Sequence, residues 1–243
     1  MVMKNLFARV SRRLAPPPAP LPSFARVSYS QCGEDMIVDH LLRHVLSVER
    51  PSFIDIGCGD PQRLNNTYYF YQRGCRGVCV EPNPRHIGAI RAQRPEDICV
   101  EAGVVPSADQ PKLTFHIFDP WTLSTFSAEE CTRLERNPSY RCIERREVPV
   151  LTLTGLFAKH GVPDLLSIDL EGIDDAVLRG TDWRKHRPAA ICAETADHIN
   201  WHKDDATIAW MEAQDYVVYA DTHVNTIFVA GERWRARLAM NHA

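Results

Sequence analysis

The sequence predicts an α/β fold built on a doubly wound, mostly parallel sheet with an antiparallel hairpin at its C-terminal edge. Three observations carry that prediction. Short, nearly continuous apolar runs recur at Ser52–Ile56, Gly77–Val80, Ile98–Val100, Leu165–Ile168 and Ala189–Ala193, as expected of parallel strands covered on both faces. Segments able to form helices, Glu34–Val48, Arg85–Gln93, Asp174–Arg179 and Asp205–Gln214, alternate with them. Near the C-terminus, Tyr216–Tyr219 and Thr226–Val229 are joined by a polar turn too short for a parallel crossover, so this pair is antiparallel.

The composition fits one globular domain. At 243 residues, the chain is long enough to bury a core without disulfides. It is 44% hydrophobic and 24% charged, an ordinary soluble balance. No apolar run approaches the roughly 20 residues of a membrane-spanning helix, and a net charge of −3 disfavours nucleic acid as the main partner.

That charge is unevenly distributed. Residues 1–28 carry +5 and the remainder −8. The first 14 residues place Met3, Leu6, Phe7, Val10 and Leu14 at helical spacing with bases opposite, and Pro16–Pro22 form an extended linker. The chain therefore divides into a basic, proline-rich tail, 1–28, and a single domain, 29–243. Residues 1–22 read either as a frayed tail or as an amphipathic helix touching an anionic membrane or a partner. Without a long apolar h-region or cleavage site, the tail is no secretory signal, so the expected location is the cytoplasm or the inner face of the membrane. The eight cysteines show no C-x-x-C spacing and read as free thiols; lacking two close pairs, they predict no structural zinc site.

The first strand ends in Asp55-Ile56-Gly57-Cys58-Gly59-Asp60, a G-x-G turn whose missing side chains admit a ligand to the backbone. The third glycine of the dinucleotide fingerprint is replaced by Gln62 after Pro61, and no P-loop exists. The second strand ends in Glu81, 22 residues beyond Gly59, where an acid accepts both ribose hydroxyl protons. Strand, G-x-G, strand, Glu points to a nucleoside ligand and favours S-adenosylmethionine over NAD. In the middle of the chain, Lys112–Phe118 and Val148–Leu153 read as an added hairpin.

In these and further motifs, the chain resembles the FkbM-type S-adenosylmethionine-dependent methyltransferases. The matching pieces are Tyr29-Ser30-Gln31-Cys32-Gly33-Glu34-Asp35, Phe53 to Pro61, Asn65-Asn66-Thr67-Tyr68, Arg76-Gly77 and Glu81-Pro82-Asn83-Pro84. Leu123-Ser124-Thr125, Ser167-Ile168-Asp169-Leu170-Glu171-Gly172 and Arg187-Pro188 follow in order, so the resemblance runs from about Tyr29 to Thr195. It implies a class I methyltransferase, Rossmann-like sheet and, in many relatives, O-methylation of a sugar or polyketide hydroxyl.

The expected cofactor residues are Asp55, Gly57 and Gly59 at the first turn and Glu81 at the ribose. Tyr29, Ser30 and Gln31 are expected at the methionine end. Asn66 reads either as a partner there or as a helix cap. Ala102, in Glu101-Ala102-Gly103, reads as adenine contact or as an ordinary turn. Asp169 and Glu194 end neighbouring strands, where they hold Mg²⁺ or another divalent cation, or else orient and deprotonate the acceptor. His198, in H-x-x-x-H with His202, is a general-base candidate or a surface residue. Trp121 and Trp201 either stack on a sugar or pack internally.

The resulting expectation is a methyltransferase acting on a hydroxyl of a glycan sugar, in lipopolysaccharide, capsule or a lipid-linked oligosaccharide. A polyketide or other secondary metabolite is the alternative acceptor. Two readings from other classes are an NAD-dependent oxidoreductase, disfavoured by the missing third glycine and absent Tyr-x-x-x-Lys, and a non-catalytic cofactor-binding protein.

Overall fold

The structure, a computed structural model, describes residues 22–197 and 201–240. The tail helix read over residues 1–14 and the candidate base His198 lie outside the described residues.

The apolar runs become strands: β1 (Phe53–Ile56), β2 (Gly77–Val80), β3 (Ile98–Val100), β4 (Gly103–Val104), β5 (Lys112–Asp119), β6 (Arg141–Leu151), β7 (Leu165–Ile168), β8 (Ala190–Glu194), β9 (Tyr216–Asp221) and β10 (Asn225–Ala230). Seven of them form one sheet in the order β3-β2-β1-β7-β8-β10-β9. The first five strands in that order are parallel, and β10 is antiparallel to both β8 and β9. Chain order runs outward from β1 through β2 to β3 in one direction and from β7 to β8 in the other. A crevice therefore opens between β1 and β7 at the carboxyl edge, where ligands bind in sheets of this topology.

Helices cover both faces. They are α1 (Glu34–Asp39), α2 (Tyr68–Gln72), α3 (Pro84–Gln93), α4 (Ala128–Leu134), α5 (Leu153–His160), α6 (Asp174–Arg179), α7 (Asp205–Ala213) and α8 (Gly231–Met240). Because strand side chains alternate, Ile54, Ile56, Leu166 and Ile168 meet Leu156, Val177 and Met211 on one face. Phe53, Cys79, Leu165 and Cys192 meet Val38, Phe70 and Ile90 on the other.

Two departures from the sequence reading have local causes. The helix expected over Glu34–Val48 stays α-helical only to Asp39, then widens into a π turn, His40–Val45, closed by the Leu46 amide donating to the Leu41 carbonyl at 2.9 Å. Ser47, at φ 57°, ends it. The strand expected over Val148–Leu153 starts earlier, at Arg141, and stops at Leu151 because Thr152 caps α5, its hydroxyl accepting from the Gly155 amide at 3.1 Å.

The middle of the chain forms a second sheet, β4-β6-β5, with β5 and β6 antiparallel and Leu113 opposite Val148. Phe115, Ile117 and Val148 pack with Phe126 on one face; Phe118, Leu123, Cys131 and Leu134 form a smaller layer with α4. Among the described residues, no helix is long and apolar enough to cross a membrane.

Candidate functional site

The sheet register aligns the site. Val80, Ile56, Ile168 and Ala193 stand side by side on β2, β1, β7 and β8. The next residue on each strand, Glu81, Gly57, Asp169 and Glu194, therefore forms one row along the carboxyl edge. A cavity of about 240 Å³ opens over that row, and all four residues line it.

Gly57 and Gly59 shape its centre. Gly57 has φ 73°, and a Cβ there would lie 1.9 Å from the Asp169 carbonyl oxygen, so only glycine lets β1 and β7 end this close together. At Gly59, φ 58°, a Cβ would meet the Trp121 ring at 2.5 Å. The Gly59 amide donates to Glu81 Oε2 and the Asn83 amide to Oε1, both at 2.7 Å. Burial pushes the Glu81 carboxyl up to about 7 against the pull of those amides, and the fields of Asp55 and Asp169 add to the rise. Each oxygen keeps a further lone pair, so Glu81, 4% exposed, has acceptor capacity left at the cavity wall.

The other half of the row is acidic. One oxygen each from Asp169, Glu171 and Glu194 lies within 4.8 Å of the other two. Burial, reinforced by Asp55, pushes Asp169 up to about 6; burial and the neighbouring acids push Glu171 and Glu194 well above their ordinary range. Beneath them Asp174, which accepts from the Leu170 amide at 2.9 Å, is pushed up to about 7 by burial and by Asp169. Asp169 Oδ1 is buried and accepts no hydrogen bond. Glu171 belongs to the Ser167–Gly172 motif, but the sequence alone does not mark it as a site residue. Its φ of 51°, followed by Gly172 at 99°, turns it back beside Asp169, and no sequence pattern announces that turn.

Phe115, Leu123 and Phe126, from the second sheet and the loop after it, form an apolar wall, and Trp121 packs its ring against His86 with centroids 4.6 Å apart. Trp201 stands at the rim, 54% exposed. Beyond Glu194 a polar groove continues, lined by Arg133, Asp197, Lys203, Asp204 and Thr207.

Of the expected site residues, Gln31, Gly57, Gly59, Glu81, Asp169 and Glu194 thus line one cavity. Five other expected residues do not line it. Asp55 shares the α1–α3 face of β1 with Phe53; there it accepts from the Thr67 hydroxyl at 2.6 Å and Asn65 Nδ2 at 3.3 Å, with Arg94 at 3.9 Å. Tyr29 and Ser30 fold onto Asp35, which accepts from the Tyr29 amide at 2.7 Å and the Ser30 hydroxyl at 3.0 Å. Asn66 turns under the sheet edge to donate to Ser167 Oγ at 3.2 Å, while Asn65 Oδ1 accepts from the first amides of α2. Ala102 is buried where the chain leaves the main sheet to start β4.

A family model described as the methyltransferase FkbM domain matches residues 55–218. No curated protein sequence matches the chain significantly. Among solved structures, it is similar to a TehB-like SAM-dependent methyltransferase from Corynebacterium glutamicum, with 12% identity and a TM-score of 0.40 over 81% of this chain and 86% of that one.

Proposed function

The chain belongs to the methyltransferase FkbM family, and on that premise we propose that it methylates a hydroxyl of a glycan sugar. The family implies S-adenosylmethionine as donor, and the cavity's chemistry fits that molecule. A buried carboxylate with spare acceptor capacity, Glu81, stands beside a glycine turn and suits a ribose diol. Gly57 and Gly59 bring backbone to the same wall, and Gln31 borders it. When bound, S-adenosylmethionine supplies an electrophilic methyl group.

The observation that carries O-methylation is the orphaned Oδ1 of Asp169. A hydroxyl oxygen gains nucleophilicity as its proton leaves, and a carboxylate raised to about 6 with an unused oxygen at the cavity floor is suited to take it. Glu194 and Glu171 hold the acceptor's other hydroxyls or, with Asp169, a divalent cation, since three carboxylates form a hard oxygen set. The apolar wall of Phe115, Leu123 and Phe126 excludes water from the reacting oxygen. A sugar is favoured over a flat apolar metabolite because Trp201 at the rim offers a stacking face and most residues along the groove beyond Glu194 are polar or charged.

The test is methyl transfer from labelled S-adenosylmethionine to a panel of neutral oligosaccharides, amino-sugar oligosaccharides and phenolic acceptors, with the product linkage determined by mass spectrometry. Label on a sugar oxygen is the expected result; label confined to phenolic acceptors replaces the glycan reading, and label on nitrogen replaces O-methylation. Chelation then divides two forms of the site. Activity lost and restored by Mg²⁺ assigns the three carboxylates to a cation, whereas indifference leaves Asp169 as the direct base.

A further inference from the structure

On the face of β5 turned away from Phe115, three residues distant in sequence meet: His116 from β5, Cys131 from α4 and Cys142 from β6. One donor atom of each lies within 4.8 Å of the other two. Tetrahedral Zn²⁺, with Zn–S of about 2.3 Å and Zn–N of about 2.0–2.1 Å, spaces its ligands roughly 3.5–3.8 Å apart. Side-chain rotation of at most about 1 Å closes the set.

A second observation is independent of that clustering. His116 is only 8% exposed, yet its Nδ1 is buried with no hydrogen-bond partner. Buried ring nitrogens are ordinarily satisfied, so an orphan calls for an explanation. The main chain that carries the ring is fixed, its amide and carbonyl both paired with Thr125, at 2.9 and 3.0 Å. Cys131 and Cys142 are both free thiols. Burial pushes the Cys131 thiol up, and the Arg145 guanidinium 3.7 Å from its Sγ pulls the other way, toward the thiolate a metal requires. Cys142 is half-buried, which leaves an entry path.

We propose that His116, Cys131 and Cys142 form a Zn²⁺ site that ties α4 to β5 and β6. Two thiolates and an imidazole are a soft to borderline donor set, unlike the hard carboxylate cluster at the cavity floor. Water takes the fourth position. Binding forms two Zn–S bonds and one Zn–N bond as two S–H bonds break, and both protons pass to solvent. The layer so fastened is small, with Phe118, Leu123, Cys131 and Leu134 as its buried core, and a small core gains most from a metal staple. The same loop and sheet carry Phe115 and Trp121 to the cavity wall, so the site holds that wall in place.

Co²⁺ is the probe, because thiolate ligation gives an intense charge-transfer absorption that carboxylate ligation cannot. Reduced wild-type protein is expected to take up one Co²⁺ with that band, to release it to Zn²⁺ and to retain it in excess Mg²⁺. Zn²⁺ raises the melting temperature, and its affinity rises with pH because protons are released. Cys131→Ser and Cys142→Ser each abolish the band and weaken Zn²⁺ binding by at least roughly 100-fold, and His116→Asn weakens it in the same direction. No band in reduced, folded wild-type protein overturns the proposal, and so does a band that persists in both serine variants. A reducible Cys131–Cys142 cross-link with no metal uptake after reduction overturns it as well. Should a serine variant fail to fold, the wild-type titration still decides.

Discussion

Asp55 and Asp169 stand on neighbouring parallel strands, within two positions of the same edge row, and their surroundings are opposite. Asp55 is 4% exposed and surrounded by donors: Thr67, Asn65 and the fully buried Arg94, which also donates to Asp97 at 2.8 Å and to Thr67 at 2.9 Å. Among the described residues Asp169 has no cation beside it; the Glu171 amide donates to its carboxyl, two further acids lie within reach, and Oδ1 has no donor. Both are carboxylates of the same sheet, Asp55 buried and Asp169 half-buried with its Oδ1 covered. The first is a fastening between β1, α2 and α3, and the second is charge held ready at a cavity floor. What separates a structural acid from a reactive one here is which groups the fold brings to it and whether it borders the cavity.

The largest expected effect tests the satisfied side. Arg94→Met leaves Asp55 and Asp97 buried without their cation and should cost about 3–5 kcal/mol of stability in urea unfolding. A loss below about 1 kcal/mol would mean that the network is dispensable and the contrast unreal.

The next effect belongs to the unsatisfied side. Asp169→Asn should lower turnover by roughly 10²–10⁴-fold while cofactor affinity, followed by calorimetry, changes little. The wild-type rate should climb with pH through about 6 as Asp169 loses its proton, and the variant should lack that limb. Equal losses of affinity and turnover would make Asp169 a second fastening.

Glu81 lies between the two extremes, since backbone amides hold both oxygens but leave lone pairs unused. Glu81→Gln removes charge-assisted bonds worth roughly 1.5–3 kcal/mol each and should weaken S-adenosylmethionine binding by about 10- to 100-fold. Wild-type affinity should rise with pH through about 7, because the ionised form accepts best, and be flat in the variant. Unchanged affinity removes Glu81 from the ribose.

The smallest effect is on stability and has the opposite sign to that of Arg94→Met. The folded carboxyl of Asp169 titrates at about 6, against about 3.9 in the unfolded chain. Between those values the folded state binds more protons, so its stability falls as pH rises through that window and stays lower above it. Asp169→Asn should therefore stabilise the ligand-free protein at pH 8, by something on the order of 1–2 kcal/mol, and do nothing of the kind below pH 4. Destabilisation at pH 8 would show that Asp169 is held by a favourable partner beyond the Glu171 amide.

Much of this was legible before folding. Glu81 was readable because a strand followed by an acid at a set distance from G-x-G needs only local order, and parallel register then places the acid at the edge. Asp169 and Glu194 were readable for the same reason. Asp55 misled because the strand motif containing it does not state which face it points to; the face is set by the pleat, and its partners come from α2 and α3. Tyr29 and Ser30 misled because both donate to Asp35, five or six residues on, a local pairing that their motif does not announce. Charged Arg141–Glu147 hid most of β6, since neither of its faces is apolar enough to show a period of two.

The alternation of the main-sheet strands with helices, the carboxyl-edge position of Glu81, Asp169 and Glu194, and the glycine turn that ends β1 were legible in the sequence itself. Each rests on local periodicity or on the turn that ends a strand. Tertiary structure alone decided that Asp55 meets a cation and Asp169 meets other acids, that Glu171 joins the acid row, and that His116 meets Cys131 and Cys142. Those facts depend on side chains from separate elements converging in space, and hydrophobic patterning specifies which face of an element is buried without specifying which polar groups it will meet there.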